Sequence, residues 1–131
     1  MIRPAALADI PDIFGMAEEL GRATNIPVAL DFATTAARLA AIIETGFAWV
    51  GDRAFLVGEV GASPFGIERI AIEHGWYCER SGQGLALLRA FEAWAAAQGC
   101  SRIRMTTGEA GPARALLARR GYRPVETAWV K

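Results

Sequence analysis

Lysine is almost missing from this chain. Thirteen of its fourteen cationic side chains are arginine, and the only lysine is Lys131. Fourteen acidic side chains cancel them, so the formal net charge is zero. A balanced chain carries no strong basic field, which argues against nucleic acid as a partner. Histidine is scarcer still, with His74 alone, and the cysteines are only Cys78 and Cys100. One histidine and two unpatterned cysteines cannot build a usual zinc site. No apolar run reaches the roughly 18 residues that a membrane span needs. Met1-Ile2-Arg3-Pro4 lacks a signal-peptide core. The expectation is a cytoplasmic protein with reduced thiols and no membrane partner. Repeats, linkers and low-complexity segments are also absent.

What remains suits one compact unit. The 131 residues are 53% hydrophobic and 21% charged. A chain of that size buries roughly two thirds of its unfolded surface, enough for a core without disulfides or metal. The expectation is a single domain, residues 1–131.

The apolar pattern changes period several times along the chain. Met1–Arg3 reads as a short strand ended by Pro4. Asp9 is placed to cap a helix carrying Ile10, Ile13, Phe14, Ala17 and Leu20, with Gly21 as its stop. Arg22–Leu30 reads as a loop, and a second helix is expected from about Phe32 to Thr45. Phe47–Val50 and Ala54–Val60 flank Gly51-Asp52, which suggests a hairpin. Ile67–Cys78 is a long strand candidate, unusually polar for a central position. Gly82–Ala97 is apolar almost all round, as a helix packed on a sheet should be. Ser101–Thr107 alternates as a strand, and Pro112–Arg120 is a short helix stopped by Gly121. Arg123–Lys131 is expected as a final strand, with Pro124 near its start. The order β-α-α-β-β-β-α-β-α-β predicts an α/β or α+β fold with a mixed sheet. Its first half should be antiparallel, and the crossover through Gly82–Ala97 parallel.

The junction Cys78-Glu79-Arg80-Ser81-Gly82-Gln83-Gly84-Leu85 joins a strand directly to a helix. The first turn of a helix presents unpaired N–H groups and a partial positive charge. Glycines let a backbone approach a phosphate closely, and Arg80 can add a charged hydrogen bond. A glycine pair can equally be a packed turn. Walker A chemistry is excluded by the missing Gly-Lys-Ser/Thr, and a dinucleotide fingerprint by the missing third glycine.

The run Trp76 to Leu88, with Glu92-Ala93-Trp94-Ala95 and Gly99 after it, resembles the acetyl-CoA signature of the GNAT (GCN5-related N-acetyltransferase) superfamily. The family pattern is Gln/Arg-x-x-Gly-x-Gly/Ala between a strand and a Leu-rich helix. The Trp before the loop and the Glu-x-Trp-Ala in the helix are similar to small phage-type members. The Arg120-Gly121-Tyr122 ending is similar to the family's Leu-Gly-Phe. The resemblance implies a GNAT-like acyltransferase fold with acetyl-CoA as cofactor and an amine as substrate. Backbone amides of Arg80, Ser81, Gly82, Gln83, Gly84 and Leu85 would hold the pyrophosphate. Trp76, Tyr77 and Cys78 would pair with the pantetheine arm and polarise the thioester carbonyl. Two positions depart from the family. Glu79 stands where Gln or Arg is usual, and an acid beside a phosphate is unfavourable unless it points away. Leu117 stands where many members place a tyrosine that protonates the leaving thiolate.

Direct attack of an amine on a thioester needs a base. Glu73 and His74 are the catalytic candidates, with Glu68 a third on the same strand. On a regular strand Glu68, His74, Trp76 and Cys78 share one face, and Glu73 and Tyr77 the other. A bulge near Gly75 would swap that assignment. The resemblance also implies an acceptor pocket built from Gly21–Asp31 and the C-terminal strand, with Asn25 as a polar group and Asp31 either meeting a cation or capping the second helix. It implies dimerisation through sheet edges too, for which Arg123–Lys131 is the candidate. The competing readings are a degenerate domain that binds coenzyme A or a protein without turnover, and an unrelated interaction module.

Overall fold

A computed structural model describes residues 1–24, 29–80, 82–108 and 111–131. The strands are β1 (Arg3–Pro4), β2 (Phe47–Gly51), β3 (Ala54–Ala62), β4 (Arg69–Cys78) and β5 (Arg102–Arg104). The helices are α1 (Ile10–Thr24), α2 (Phe32–Thr45), α3 (Gln83–Ala97) and α4 (Pro112–Arg119). A single 3₁₀ turn, Leu7–Asp9, precedes α1. The strands lie side by side in chain order. The first three pairings are antiparallel, and β4 pairs with β5 in parallel through the α3 crossover. The expected mixed sheet is therefore present.

Two apolar layers hold the sheet. Ile13, Met16, Leu39 and Ile42 from α1 and α2 pack on Ala48, Val50, Phe55 and Val57. Leu87, Phe91 and Ala95 of α3 pack on the opposite face, against Phe47, Ala54, Leu56 and Ala71. Alternation along β2 and β3 feeds both layers, which is why those strands read as apolar almost throughout. Three of the four tryptophans, Trp49, Trp76 and Trp94, pack against the α3 layer, while Trp129 is exposed.

Several boundaries differ from the sequence pattern. Gly21 does not stop α1, which continues to Thr24. The Thr24 hydroxyl donates to the Leu20 carbonyl and closes the last turn there. Asp9 does not cap α1 from outside. Its carboxylate accepts from the Ala6 N–H and from Arg3, so it ties the 3₁₀ turn to β1. The strand expected from Ile67 begins at Arg69, and Ile67 is fully exposed. The strand expected over Ser101–Thr107 is confined to Arg102–Arg104. Arg123–Lys131 forms no strand at all. A strand is stabilised by a ladder partner and a buried face; this segment has neither. Val125, Trp129 and Val130 are exposed, and its side-chain tie to the sheet is the Glu126–Arg104 ion pair. The edge proposed for dimerisation is thus not a strand.

Phe91 is fully buried at the centre of the α3 layer, against Phe47 and Trp94. Replacing it by alanine should cost about 3–5 kcal/mol of unfolding free energy. Trp129→Ala should stay within about 0.5 kcal/mol of wild type. Urea melts of the two variants check both, and a large loss at Trp129 would mean that the C-terminal segment is packed after all.

Candidate functional site

The site grows out of one irregularity in β4. Val57 pairs with Gly75, but the next residue of β3, Gly58, pairs with Glu73. His74 is the extra residue of a β-bulge, which reverses the alternation along β4. Ala71 and, two residues on, Glu73 lie on the α3 side before the bulge. Trp76 and Cys78 lie on that same side after it. Gly75 faces Phe55 and Val57, and Tyr77 joins the α1–α2 layer. The regular-strand grouping of His74 with Trp76 and Cys78 is thus replaced by the swapped one. Glu73 shares a face with Trp76 and Cys78, and His74 belongs with the other layer.

The same stretch is where the sheet opens. The β4–β5 ladder covers only Ile70 to Ile72 against Arg102 to Arg104, while β4 runs on to Cys78. Beyond Ile72 the outer edge of β4 has no strand beside it among the described residues. The Thr106 N–H donates 2.8 Å to the Glu73 carboxylate instead of to a β4 carbonyl. Glu73 therefore sits in the wedge between the diverging chains. It is 8% exposed. Desolvation pushes its carboxyl up to about 7, against a smaller downward pull from the Thr106 amide.

The open edge leads to α3. Gly82 is the N-cap, with φ +95°, a conformation that suits glycine and strains other residues. No side chain among the described residues caps this helix. The amides of Gln83, Gly84 and Leu85 fall within the first turn, where intrahelical acceptors are lacking. The structure thus begins the helix within one residue of the sequence expectation. Ser81 lies outside the described residues. Trp76 packs its indole against Gly84, and its buried Nε1 has no hydrogen-bond partner.

The charges of the loop are tied down by the β2–β3 turn, Asp52-Arg53. The Arg53 guanidinium donates to the Glu79 carboxylate at 2.9 Å and to Glu19 of α1. Glu79 is thereby directed toward Arg53, and the Tyr77 hydroxyl donates to the same Glu19. Arg80 pairs with Asp52 at 2.6 Å. The Gln83 carboxamide makes two hydrogen bonds to the Asp52 backbone, at 2.7 and 2.8 Å. The Cys78 thiol donates to the Arg80 carbonyl. An uncapped helix start, a glycine cap and an acid drawn aside fit a polyphosphate such as that of coenzyme A. The free β4 edge fits an extended amide-bearing arm.

On the opposite face a cavity of about 830 Å³ opens between α1, α2 and the sheet. Leu20, Leu30, Arg38, Phe55 and His74 are among its walls. It covers part of the expected acceptor region, although Asn25 lies outside the described residues. Asp31 caps α2 through the Thr34 N–H, 2.8 Å away. The His74 Nε2 lies 2.7 Å from Glu59, which also approaches Arg38. Glu68 pairs with Arg102 outside this region. Glu59, Asp52 and Arg53 carry no local motif; their roles arise only from strand pairing. Leu117 is buried on α4, and the Tyr122 hydroxyl donates to Glu92.

No family model matches the sequence, and no curated protein matches it. Solved structures do match over the whole length. A predicted acetyltransferase with acetyl-CoA from Clostridium acetobutylicum superposes at a TM-score of 0.79 and 14% identity, covering 100% of this chain and 94% of its own. A GCN5-related N-acetyltransferase from Ralstonia eutropha JMP134 gives 0.75 at 21%, covering 100% and 97%. A Trypanosoma brucei acetyltransferase gives 0.74 at 14%, also covering 100% and 97%. The fold is that of the GNAT acetyltransferases. Identities this low establish architecture and leave activity to the site's own chemistry. Among the described residues no helix is long and apolar enough to cross a membrane.

The raised Glu73 carboxyl has a consequence for folding. Its ordinary value is 4.5 and its folded value about 7. Between those limits the folded state holds the proton that the unfolded state has lost, so stability falls as pH rises from 4.5 to 7 and then levels. The full drop is roughly 3 kcal/mol. Glu73→Gln stays neutral and keeps an acceptor for Thr106. Its stability relative to wild type should therefore climb between pH 5 and pH 8, as read by urea melts at both. A pH-independent difference would place the carboxyl in a more solvated setting.

Proposed function

We propose that this protein is an acyl-CoA-dependent N-acyltransferase that moves an acetyl group from acetyl-CoA to a primary amine. The observation that carries this reading is the continuity of three features among the described residues: the edge of β4 without a neighbouring strand, Glu73 in the wedge beside it, and the start of α3 without a side-chain cap at its end. When bound, the cofactor supplies an activated acyl thioester. The amides of Gln83, Gly84 and Leu85, with those of Arg80 to Gly82, hold the pyrophosphate. The backbone of Trp76 to Cys78 pairs with the pantetheine arm and polarises the carbonyl. Glu73 takes the proton of the attacking ammonium, directly or through water. A carboxyl near 7 is matched to that task at neutral pH. The amine enters by the cavity between α1 and α2, where His74 lies 2.7 Å from Glu59, and meets the thioester through the gap that opens between β4 and β5 beyond Ile72. The small phage-type likeness of Trp76 and Glu92-Ala93-Trp94-Ala95 is consistent with such an enzyme.

One observation favours a second reading, a domain that binds coenzyme A without turnover. Leu117 replaces the family's tyrosine, and both tyrosines of the chain are committed elsewhere, Tyr77 to Glu19 and Tyr122 to Glu92. Titration with acetyl-CoA tests the shared claim, and thiol release with a panel of amines separates the two.

Acetyl-CoA should raise the melting temperature of the wild-type protein, and absence of any shift would sink both readings. Glu73→Gln should lower kcat/KM about 10²–10⁴-fold. Wild-type kcat/KM should rise with pH through about 7 as Glu73 ionises, and this limb should vanish in the variant. If the limb survives there and disappears in His74→Ala, the histidine is the base.

A further inference from the structure

The acid at the mouth of the helix start has a dedicated restraint. Glu79 occupies the position before the glycines where a carboxylate would repel a diphosphate. Two hydrogen bonds to Arg53 turn it aside, and two more anchor that arginine. Its backbone N–H donates 3.0 Å to the Arg53 carbonyl. Its carboxylate accepts from the Arg53 Nε at 2.9 Å. The other side of the same guanidinium is clamped by both oxygens of Glu19, at 2.9 and 3.0 Å. Arg53 is thereby tied to α1 as well as to Glu79.

The backbone of Arg53 is a second, independent sign. It is the only non-glycine residue among those described with positive φ, at +54°. It stands at the second position of a two-residue turn, where glycine or asparagine is usual. Such a conformation costs about 1–3 kcal/mol. Exposed ion pairs recover little of that, so stability alone does not explain an arginine here. The turn touches the loop at two further points. Asp52 holds Arg80 and, through its backbone, Gln83. Gly51 leaves room for that contact, because a Cβ there would lie 2.2 Å from the Gln83 carboxamide oxygen.

We infer that Arg53 is a positioning residue for coenzyme A: it draws the Glu79 carboxylate away from the start of α3 and so keeps that cradle electropositive. The inference rests on the acyl-CoA reading above. Arg53 touches neither the phosphate nor the reacting atoms; it acts through Glu79. It assigns the β2–β3 turn, 26 residues earlier in the chain than Glu79, a part in cofactor affinity.

The test uses Arg53→Gly, which suits the left-handed backbone and should fold at least as well as wild type. Binding of acetyl-CoA is measured by titration calorimetry at low and at high salt. The dissociation constant should rise roughly tenfold at low salt, and the loss should shrink as salt screens Glu79. In turnover the variant should show a raised KM for acetyl-CoA with kcat nearly unchanged. Arg53→Gly combined with Glu79→Gln should return affinity to within about threefold of wild type, since the charge to be restrained is gone. A merely structural role for Arg53 would not be rescued by neutralising Glu79. Wild-type affinity in Arg53→Gly, or a double variant as weak as the single, overturns this inference and leaves the acyl-CoA reading intact. Failure of the wild-type protein itself to bind acetyl-CoA overturns both.

Discussion

One extra residue in β4 sets the chemistry of this molecule. Without the bulge at His74, strict alternation would place Glu73 beside Tyr77, under α1 and α2. With it, Glu73 falls on the α3 side together with Trp76 and Cys78 and fills the wedge where β5 departs. A β-bulge also bends and twists its strand, which is consistent with the parallel ladder ending two residues earlier, at Ile72. The opening of the sheet and the burial of the carboxylate thus fall at the same point of β4.

The burial of Glu73 is costly for stability and, under the proposed function, suits it to proton transfer. A carboxyl on the surface would be ionised at neutral pH and weakly basic. Held by a single amide in an apolar wedge, Glu73 stays near 7. Perturbed groups of this kind gather at functional sites because catalysis needs pKa values matched to its task, and the fold bears the cost of the burial. The same face of the sheet carries Phe47, Leu56, Leu87 and Phe91, all fully buried.

The helix start offers partial positive charge, but a loop must keep acids out of it. Here the loop carries one, Glu79, and the β2–β3 turn restrains it. The turn, the loop and α1 form one charged network through Arg53, Glu19, Tyr77 and Glu79. Arg80 and Gln83 are held by the same turn. The geometry of the cradle thus depends on a hairpin whose own register is fixed by the β2–β3 ladder.

The amino-acid sequence by itself determined most of the elements and their order, because periodicity and punctuation are local signals. The α2 span, the hairpin and the start of α3 at Gly82 follow from apolar spacing and from glycines at the points of reversal. The junction between β4 and α3 was legible for the same reason, since glycines mark the point where the strand gives way to the helix. Tertiary structure alone decided which side chains meet. Gly75 marked where a bulge could act, but the bulge at His74, which exchanged the faces of Glu73 and His74, arises from the register against β3. Arg53 and Glu79 are brought together by strand pairing across 26 residues. Arg123–Lys131 had the composition of a strand but found no ladder partner. Periodicity describes what one segment would bury; only the assembled sheet determines what is there to bury it against.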